Sequence, residues 1–156
     1  MILTDDKETE TLVIEAKQKE IPNLIDKVFH WVDDYGQERV TCRWVLTEKQ
    51  KDGCSVVKAR LVARGFEESH TGRRDSPTCS KQSLRMVFVA AATMSWELNS
   101  IDITSAFLQG NAIERDVFVQ PPKEIEEVGK LWKLQRCLYG LCDAPRKWYK
   151  RVYRKN

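Results

Sequence analysis

Asp102 is the residue whose position in this sequence most directly suggests chemistry. The run LNSIDITSAFLQG predicts a short apolar strand that ends at Asp102 and is followed by a turn of small residues. An aspartate in that place can hold a divalent cation, while the backbone amides at Ser105, Ala106 and Phe107 bind phosphate oxygens. The alternative is a helix N-cap, which is the more frequent role of such an aspartate.

A second candidate for chemistry is a row of cations on a predicted β-hairpin. Residues 39–47 and 56–66 are rich in β-branched residues and alternate in polarity, and the turn dipeptide Asp52-Gly53 lies between them. The period of two gives the second strand an apolar face, with Ala59, Leu61 and Ala63, and a cationic face, with Lys58, Arg60, Val62 and Arg64. A solvated outer face has the same pattern, so the pattern alone leaves the role of these cations open.

The charges of the chain are segregated into four blocks. Residues 1–38 carry a net charge of −6, residues 39–85 of +6, residues 86–129 of −5 and residues 130–156 of +8. Two basic blocks around an acidic one favour a polyanionic partner near a carboxylate site, because a polyphosphate requires cations and a divalent metal requires acids. Solvated charge on exposed helices and hairpins is the alternative.

Helices are predicted in three further places. One covers residues 8–21 and ends at Pro22, and another covers residues 81–96 with Ser80 as its N-cap. The second helix has an apolar stripe that predicts core packing, formed by Leu84, Val87, Phe88, Ala91, Ala92 and Trp96. The third helix begins at Asp143, has Pro145 in its first turn and is expected to bury Trp148, Tyr149, Val152 and Tyr153.

Two strands complete the prediction. Residues 115–120 form one, which is stopped by Pro121-Pro122, and residues 130–138 form the other. Helices and strands in this order indicate an α+β chain. With 156 residues and no internal repeat, it fits one domain that can bury a core.

The cysteines and the N-terminus bear on the compartment. An odd set of five cysteines without a CxxC pair favours reduced thiols (Cys42, Cys54, Cys79, Cys137 and Cys142). No apolar run is long enough to span a membrane, and the acidic start MILTDDKETE is unlike a signal peptide. We therefore expect an intracellular protein with no membrane partner.

The order of seven blocks resembles the reverse transcriptase domain of copia-type LTR retrotransposons. The blocks are RWVLTEK, KARLVARGF, DSPTCSKQSLR, IDITSAFLQG, ERDVFVQPP, LWKLQRCLYGL and DAPRKWY, and they extend from about Arg43 to Tyr149. The resemblance implies the fingers and part of the palm of a right-hand polymerase over residues 39–156, preceded by an acidic helical lead-in over residues 1–38. It also implies an RNA-directed DNA polymerase within a retrotransposon polyprotein, in the cytoplasm (a virus-like particle) or the nucleus.

The resemblance also implies roles for individual residues. Asp102 corresponds to the first catalytic aspartate of the palm, a ligand of Mg²⁺, in a site that uses two such ions to activate the primer 3′ oxygen and neutralise the leaving pyrophosphate. Phe107 corresponds to the bulky residue under the incoming sugar, where a phenyl ring excludes a 2′-hydroxyl and so favours deoxynucleoside triphosphates. Ordinary core packing is the alternative for Phe107.

Further positions match the nucleotide-binding parts of the family. Lys58, Arg60 and Arg64 match the fingers cations that reach the triphosphate or the RNA or DNA template-primer. The block that starts at Tyr139 and Gly140 matches the segment whose backbone approaches the nucleotide and the template base. Many relatives have Lys-Gln where this chain has Cys142-Asp143.

The chain departs from the family pattern in one respect. The family has a YxDD-like hairpin after the YGL block, which supplies a further catalytic carboxylate, and no such motif precedes Asn156; the thumb is not represented either. Trp31-Val32-Asp33-Asp34 resembles the motif but precedes Asp102, and it predicts a polar turn leading into Tyr35-Gly36. We therefore expect this chain to be inactive alone. The alternatives are a non-catalytic nucleic-acid-binding relic of the domain and a chain that does not fold stably.

Overall fold

The computed structural model describes residues 7–25, 27–51, 54–69, 72 and 74–153. The predicted Asp52-Gly53 turn lies outside these residues. None of the helices formed by the described residues is long and apolar enough to cross a membrane.

The described residues form three α-helices. α1 spans Lys7–Leu24, so the prediction that Pro22 ends it is wrong: proline removes one N–H donor near the end of the helix, and the last turn still forms. α2 spans Lys81–Thr93, and the hydroxyl oxygen of Ser80 accepts a hydrogen bond from the Ser83 N–H at 3.0 Å, which confirms the predicted N-cap. α3 spans Ala144–Tyr153.

The strands form a hairpin and a separate four-stranded sheet. Their bounds are β1 Phe29–Asp33, β2 Arg39–Val40, β3 Cys42–Lys51, β4 Cys54–Ala63, β5 Phe118–Val119 and β6 Lys130–Leu134. The sheet has the order β1–β6–β5–β2, in which only the β2–β5 pair is parallel. The predicted strands at 115–120 and 130–138 exist but are shorter.

The hairpin prediction is confirmed for β3 and β4, with one difference. β3 and β4 pair antiparallel along their whole length, and Ala59, Leu61 and Ala63 are buried as the alternation predicts. Arg39 and Val40, however, leave the predicted hairpin and pair with β5 in the other sheet.

The core of the molecule is centred on Trp132 in β6, which has no exposed surface. Phe29 stacks on it with ring centroids 4.0 Å apart, and Trp31 meets it edge-on at 5.8 Å. The buried residues around this group come from the end of α1, the sheet, the hairpin, the segment between β6 and α3 and the start of α3, and include Leu24, Val28, Val40, Leu61, Val119, Leu134, Leu138, Leu141 and Ala144. Residues 29–33, within the predicted acidic lead-in, thus contribute one strand of the sheet.

The predicted core stripe of α2 is wrong. Leu84, Val87, Phe88, Ala92 and Trp96 are exposed, and Ala91 is the buried member of the stripe. The reason is that no other described helix or strand packs extensively against α2. Helical amphipathicity predicts which face will be buried once a partner is present, but it does not supply the partner.

Three smaller predictions also fail. Residues 98–102 form no strand, because the described residues offer them no strand to pair with, and Asp102 lies in an irregular, exposed segment. Val152 and Tyr153 are exposed at the end of α3, beyond its contact with Gly110, while Trp148 and Tyr149 are half-buried. Trp31–Asp33 belong to β1, so the predicted polar turn begins at Asp34, whose carboxylate accepts the Gly36 N–H at 2.9 Å.

Candidate functional site

A cleft of about 370 Å³ lies between α1, β4, the turn after Asp102 and Tyr139. Seven of the nine site residues proposed from the sequence line it: Lys58, Arg60, Asp102, Ser105, Ala106, Phe107 and Tyr139. Arg64 and Gly140 do not. Glu20 of α1 also lines the cleft, a position that the sequence did not suggest because α1 is far from the others along the chain.

Lys58 and Arg60 form the cationic wall of the cleft. They alternate with the buried Ala59 and Leu61 on β4, so their side chains leave the strand on the side away from the core. Lys58 is exposed and Arg60 half-buried, and neither forms an ion pair with a described carboxylate. This wall therefore presents two positive charges that an anionic ligand can neutralise.

Arg64 is separated from this pair. It follows the end of β4, and its guanidinium lies 3.8 Å from the carboxylate of Glu67. The same carboxylate accepts hydrogen bonds from the N–H and hydroxyl of Thr41 at 2.7 and 2.9 Å. The Thr41 N–H, with the Arg64 charge nearby, keeps the pKa of Glu67 below its usual value, so Arg64 faces an ionised partner at neutral pH.

The turn after Asp102 forms the opposite wall. Ser105 adopts a left-handed conformation (φ 53°, ψ 38°), which starts a short 3₁₀ helix over Ala106–Gln109. The Gln109 side-chain amide donates to the Thr104 carbonyl at 2.8 Å and closes the turn. The Asp102 carboxylate is thus exposed beside an ordered turn, although not at the end of a strand.

Phe107 both lines the cleft and packs against the core. Its ring lies 6.2 Å from that of Tyr139 in an edge-on arrangement, and it is half-buried against the core residues. The position of Phe107 is therefore compatible with both interpretations offered by the sequence, core packing and ligand contact. A ring held in this way can act as a steric boundary, because its neighbours limit its movement.

Gly140 positions Tyr139 through close backbone contact with the hairpin. The Ala63 N–H donates to the Tyr139 carbonyl at 2.7 Å. Gly140 has φ +90°, and a Cβ there would lie 2.1 Å from the Ala63 oxygen, while a Cβ on Gly65 would lie 2.4 Å from the Gly140 oxygen. Only glycine allows these backbones to approach so closely.

A partly buried ion-pair cluster close to these segments was not predicted from the sequence. Arg115 donates to Glu68 at 2.7 Å and to both carboxylate oxygens of Asp143 at 2.7 and 3.2 Å. Burial lowers the pKa of Arg115, but the hydrogen bonds to Asp143 and Glu68 outweigh it and keep its pKa above the usual value. Asp143 was expected only as the start of the third helix, and nothing local in the sequence signals partners so far along the chain.

The described residues contain no group of three or more His, Cys, Asp or Glu side chains placed to hold a metal ion. Among the residues that line the cleft, Asp102 and Glu20 carry carboxylates. An exposed aspartate is a suitable oxygen ligand for Mg²⁺. Two bridged cations require more carboxylates than this, so the described residues do not by themselves fit a two-metal site.

Comparison with known proteins places these features in context. A protein-family model described as reverse transcriptase (RNA-dependent DNA polymerase) matches residues 26–155. The chain is 31% identical to the retrovirus-related Pol polyprotein from transposon TNT 1-94 of Nicotiana tabacum, over 96% of this chain and 13% of that polyprotein. It is 37% identical to the polyprotein from transposon RE1 of Arabidopsis thaliana, over 70% of this chain and 8% of the relative.

A yeast relative is similar over most of the chain. The transposon Ty1-DR4 Gag-Pol polyprotein of Saccharomyces cerevisiae is 30% identical over 89% of this chain and 9% of its own length. The chain thus spans at most 13% of the length of these three relatives. No solved structure matches it.

Proposed function

The chain belongs to the reverse transcriptase family of copia-type retrotransposon Pol polyproteins, and we propose that its cleft holds a deoxynucleoside triphosphate against an RNA or DNA template-primer. The observation that carries the proposal is the convergence of Lys58, Arg60, Phe107 and Tyr139 on one cleft with Asp102. In the same proposal the β3–β4 hairpin is the fingers and the cleft floor is part of the palm, in an intracellular polyprotein.

The triphosphate is assigned to the side of the cleft formed by β4. Lys58 and Arg60 have no described acidic partner, and charge-assisted hydrogen bonds to phosphate are about twice as strong as neutral ones. Arg60 offers a planar fork for two oxygens, whereas Lys58 acts as a point charge. Arg64 contributes to the field of the hairpin rather than to a direct contact, because Glu67 already pairs with it.

The sugar is assigned to the side formed by Phe107 and Tyr139. The two rings support each other edge-on, and the left-handed Ser105 fixes the backbone just before Phe107. A phenyl ring in this place leaves no room for a 2′-hydroxyl, which supports a preference for deoxynucleotides. The backbone of Ser105 and Ala106 forms the wall beside it.

Asp102 is the residue proposed to bind Mg²⁺, with Glu20 on the same cleft. When bound, the metal would supply charge neutralisation at the phosphates and activation of the primer 3′ oxygen. The described residues hold fewer carboxylates than two cations need, so what this chain contributes here is ligand binding and orientation.

The test measures how strongly the chain binds a fluorescently labelled RNA–DNA hybrid by anisotropy as the salt concentration is varied. We expect log K to fall with log salt by roughly 0.7–0.9 per phosphate contact, and Arg60→Glu to weaken binding by at least about tenfold. Lys123→Glu changes the charge equally on an exposed residue outside the cleft and should have less than about a twofold effect. A flat salt response, or equal effects of the two variants, would contradict the proposal.

A further inference from the structure

The Arg115 cluster joins three of the four segments that line the proposed cleft, all but α1. Its guanidinium binds Glu68, which follows the hairpin, and Asp143, which follows the YGL block. Arg115 itself follows the 3₁₀ helix that contains Phe107. Each member of the cluster lies within eight residues of a cleft residue in its own segment, since Glu68 follows Arg60, Arg115 follows Phe107 and Asp143 follows Tyr139.

Short, well-ordered connections link the cluster to the walls of the cleft. Between Arg60 and Glu68 lie Ala63, bonded to the Tyr139 carbonyl, and Gly65, whose carbonyl accepts the Cys142 thiol at 3.4 Å. Between Phe107 and Arg115, the Asn111 N–H donates to the Lys147 carbonyl of α3 at 3.3 Å. A shift of the cluster is therefore transmitted to the cleft rather than absorbed in a flexible loop.

The cluster is poorly suited to a role in stability alone. The Glu68 and Asp143 side chains are 12% and 6% exposed, and two acids share one guanidinium. The Oε2 atom of Glu68 is buried and receives no hydrogen bond from the described residues. Buried charges of this kind can often be replaced by apolar residues without loss of stability. Fixing the geometry of the segments that they join is therefore as good an explanation of this cluster as stability.

We propose that Arg115 is a positioning residue that sets the separation of these three segments and thereby the fit of a triphosphate between Lys58, Arg60 and Tyr139. The identity of the ligand rests on the proposed function, whereas the role of Arg115 in setting the separation of the segments does not. Arg115 touches neither ligand nor reacting atoms and acts through Glu68 and Asp143.

The decisive variant removes all three charges together. Arg115→Met alone leaves two buried carboxylates and can unfold the chain, whereas the triple variant Glu68→Gln, Arg115→Met, Asp143→Asn leaves no unpaired charge. The matched control is Lys133→Met. It breaks a surface ion pair of 2.7 Å between Lys133 and Asp116, the residue that follows Arg115 in the chain.

Two readouts separate positioning from stability. The first is affinity for inorganic tripolyphosphate, by calorimetry. The second is the distance distribution, by pulsed electron resonance, between spin labels on p-acetylphenylalanine placed at the exposed Lys49 of the hairpin and the exposed Ala112 between Phe107 and Arg115. Thermal unfolding is measured in parallel.

We expect the folded triple variant to bind tripolyphosphate at least about tenfold more weakly and to show a broader distance distribution, while Lys133→Met matches the wild type. A folded triple variant with wild-type affinity and distribution overturns the proposal. If the triple variant does not fold, Arg115→Lys replaces it in the test, because lysine keeps the charge but cannot bridge both acids as the forked guanidinium does. An unchanged distance distribution for Arg115→Lys would then overturn the proposal. If the wild type binds no tripolyphosphate, the proposed function fails and the distance distribution alone decides the role of Arg115.

Discussion

The four-stranded sheet and the segment from Lys81 to Ile103 contain similar apolar side chains, but these side chains are buried in the sheet and mostly exposed in the segment. Trp132 in the sheet has no exposed surface, while Trp96 after α2 is 60% exposed. Trp132 lies between aromatic neighbours on a paired strand, whereas no other described helix or strand packs extensively against α2. The difference shows that burial depends on the partner and not on the residue type. The same difference is found within the cleft, because Lys58 and Arg60 belong to a packed hairpin, whereas Asp102 belongs to an irregular segment.

The comparison is tested most strongly by replacing the two tryptophans. Trp132→Ala should lower the free energy of unfolding by about 3–5 kcal/mol, because it removes a large ring from a packed core and leaves a cavity. Trp96→Ala should change it by no more than about 0.5 kcal/mol, because its ring is mostly in solvent. Urea denaturation followed by circular dichroism measures both values. Equal losses for the two variants would show that α2 is packed as tightly as the sheet.

A glycine pair sharpens the comparison within the packed region. Gly140→Ala and Gly129→Ala both place a Cβ on a residue with positive φ, but a Cβ at position 129 meets no atom within 4 Å. Gly140→Ala should therefore cost about 1–3 kcal/mol more than Gly129→Ala, because its Cβ collides with the Ala63 carbonyl. The same denaturation experiment measures this difference. Similar costs would mean that the hairpin and the YGL block can separate without penalty.

The smallest effect concerns what holds α2 together. Without extensive packing, α2 depends on local interactions, so Ser80→Ala should lower the stability of this helix by about 1 kcal/mol. Hydrogen exchange should show roughly fivefold faster exchange of α2 amides with little change in the sheet. Ser83→Ala is the control, because it keeps the backbone N–H that Ser80 caps. Faster exchange in the sheet as well as in α2, or no effect at all, would contradict the local origin of this stability.

Local patterns in the sequence predicted the parts of the fold that local physics determines. The alternation of β4 placed Ala59, Leu61 and Ala63 on the buried face, and the serine before α2 marked its start. The strand expected before Asp102 failed because a strand needs a neighbour, and hydrophobicity along one segment does not provide it.

The candidate site, too, was predicted in part and missed in part. The turn pattern after Asp102 and the family resemblance together selected seven residues that the fold brings to one cleft. They missed Arg115, whose partners Glu68 and Asp143 lie 47 and 28 positions away along the chain. A sequence motif describes residues close together in the chain, so a contact of this length enters only with the fold.

The close approach of Gly65 to the YGL block has a consequence for how the protein is made. The thiol of Cys142 and the carbonyl of Gly65 meet across 77 positions. At about 5–20 residues per second, a ribosome delivers the hairpin roughly 4–15 s before this partner segment. During that interval α1 is already available to pack against β4, but the core residues from β5, β6 and the YGL block are absent, so part of the apolar face of the hairpin is uncovered. The cleft, which Tyr139 helps to line, is therefore completed only after this partner segment has been made, and we expect the risk of aggregation to be highest in that interval.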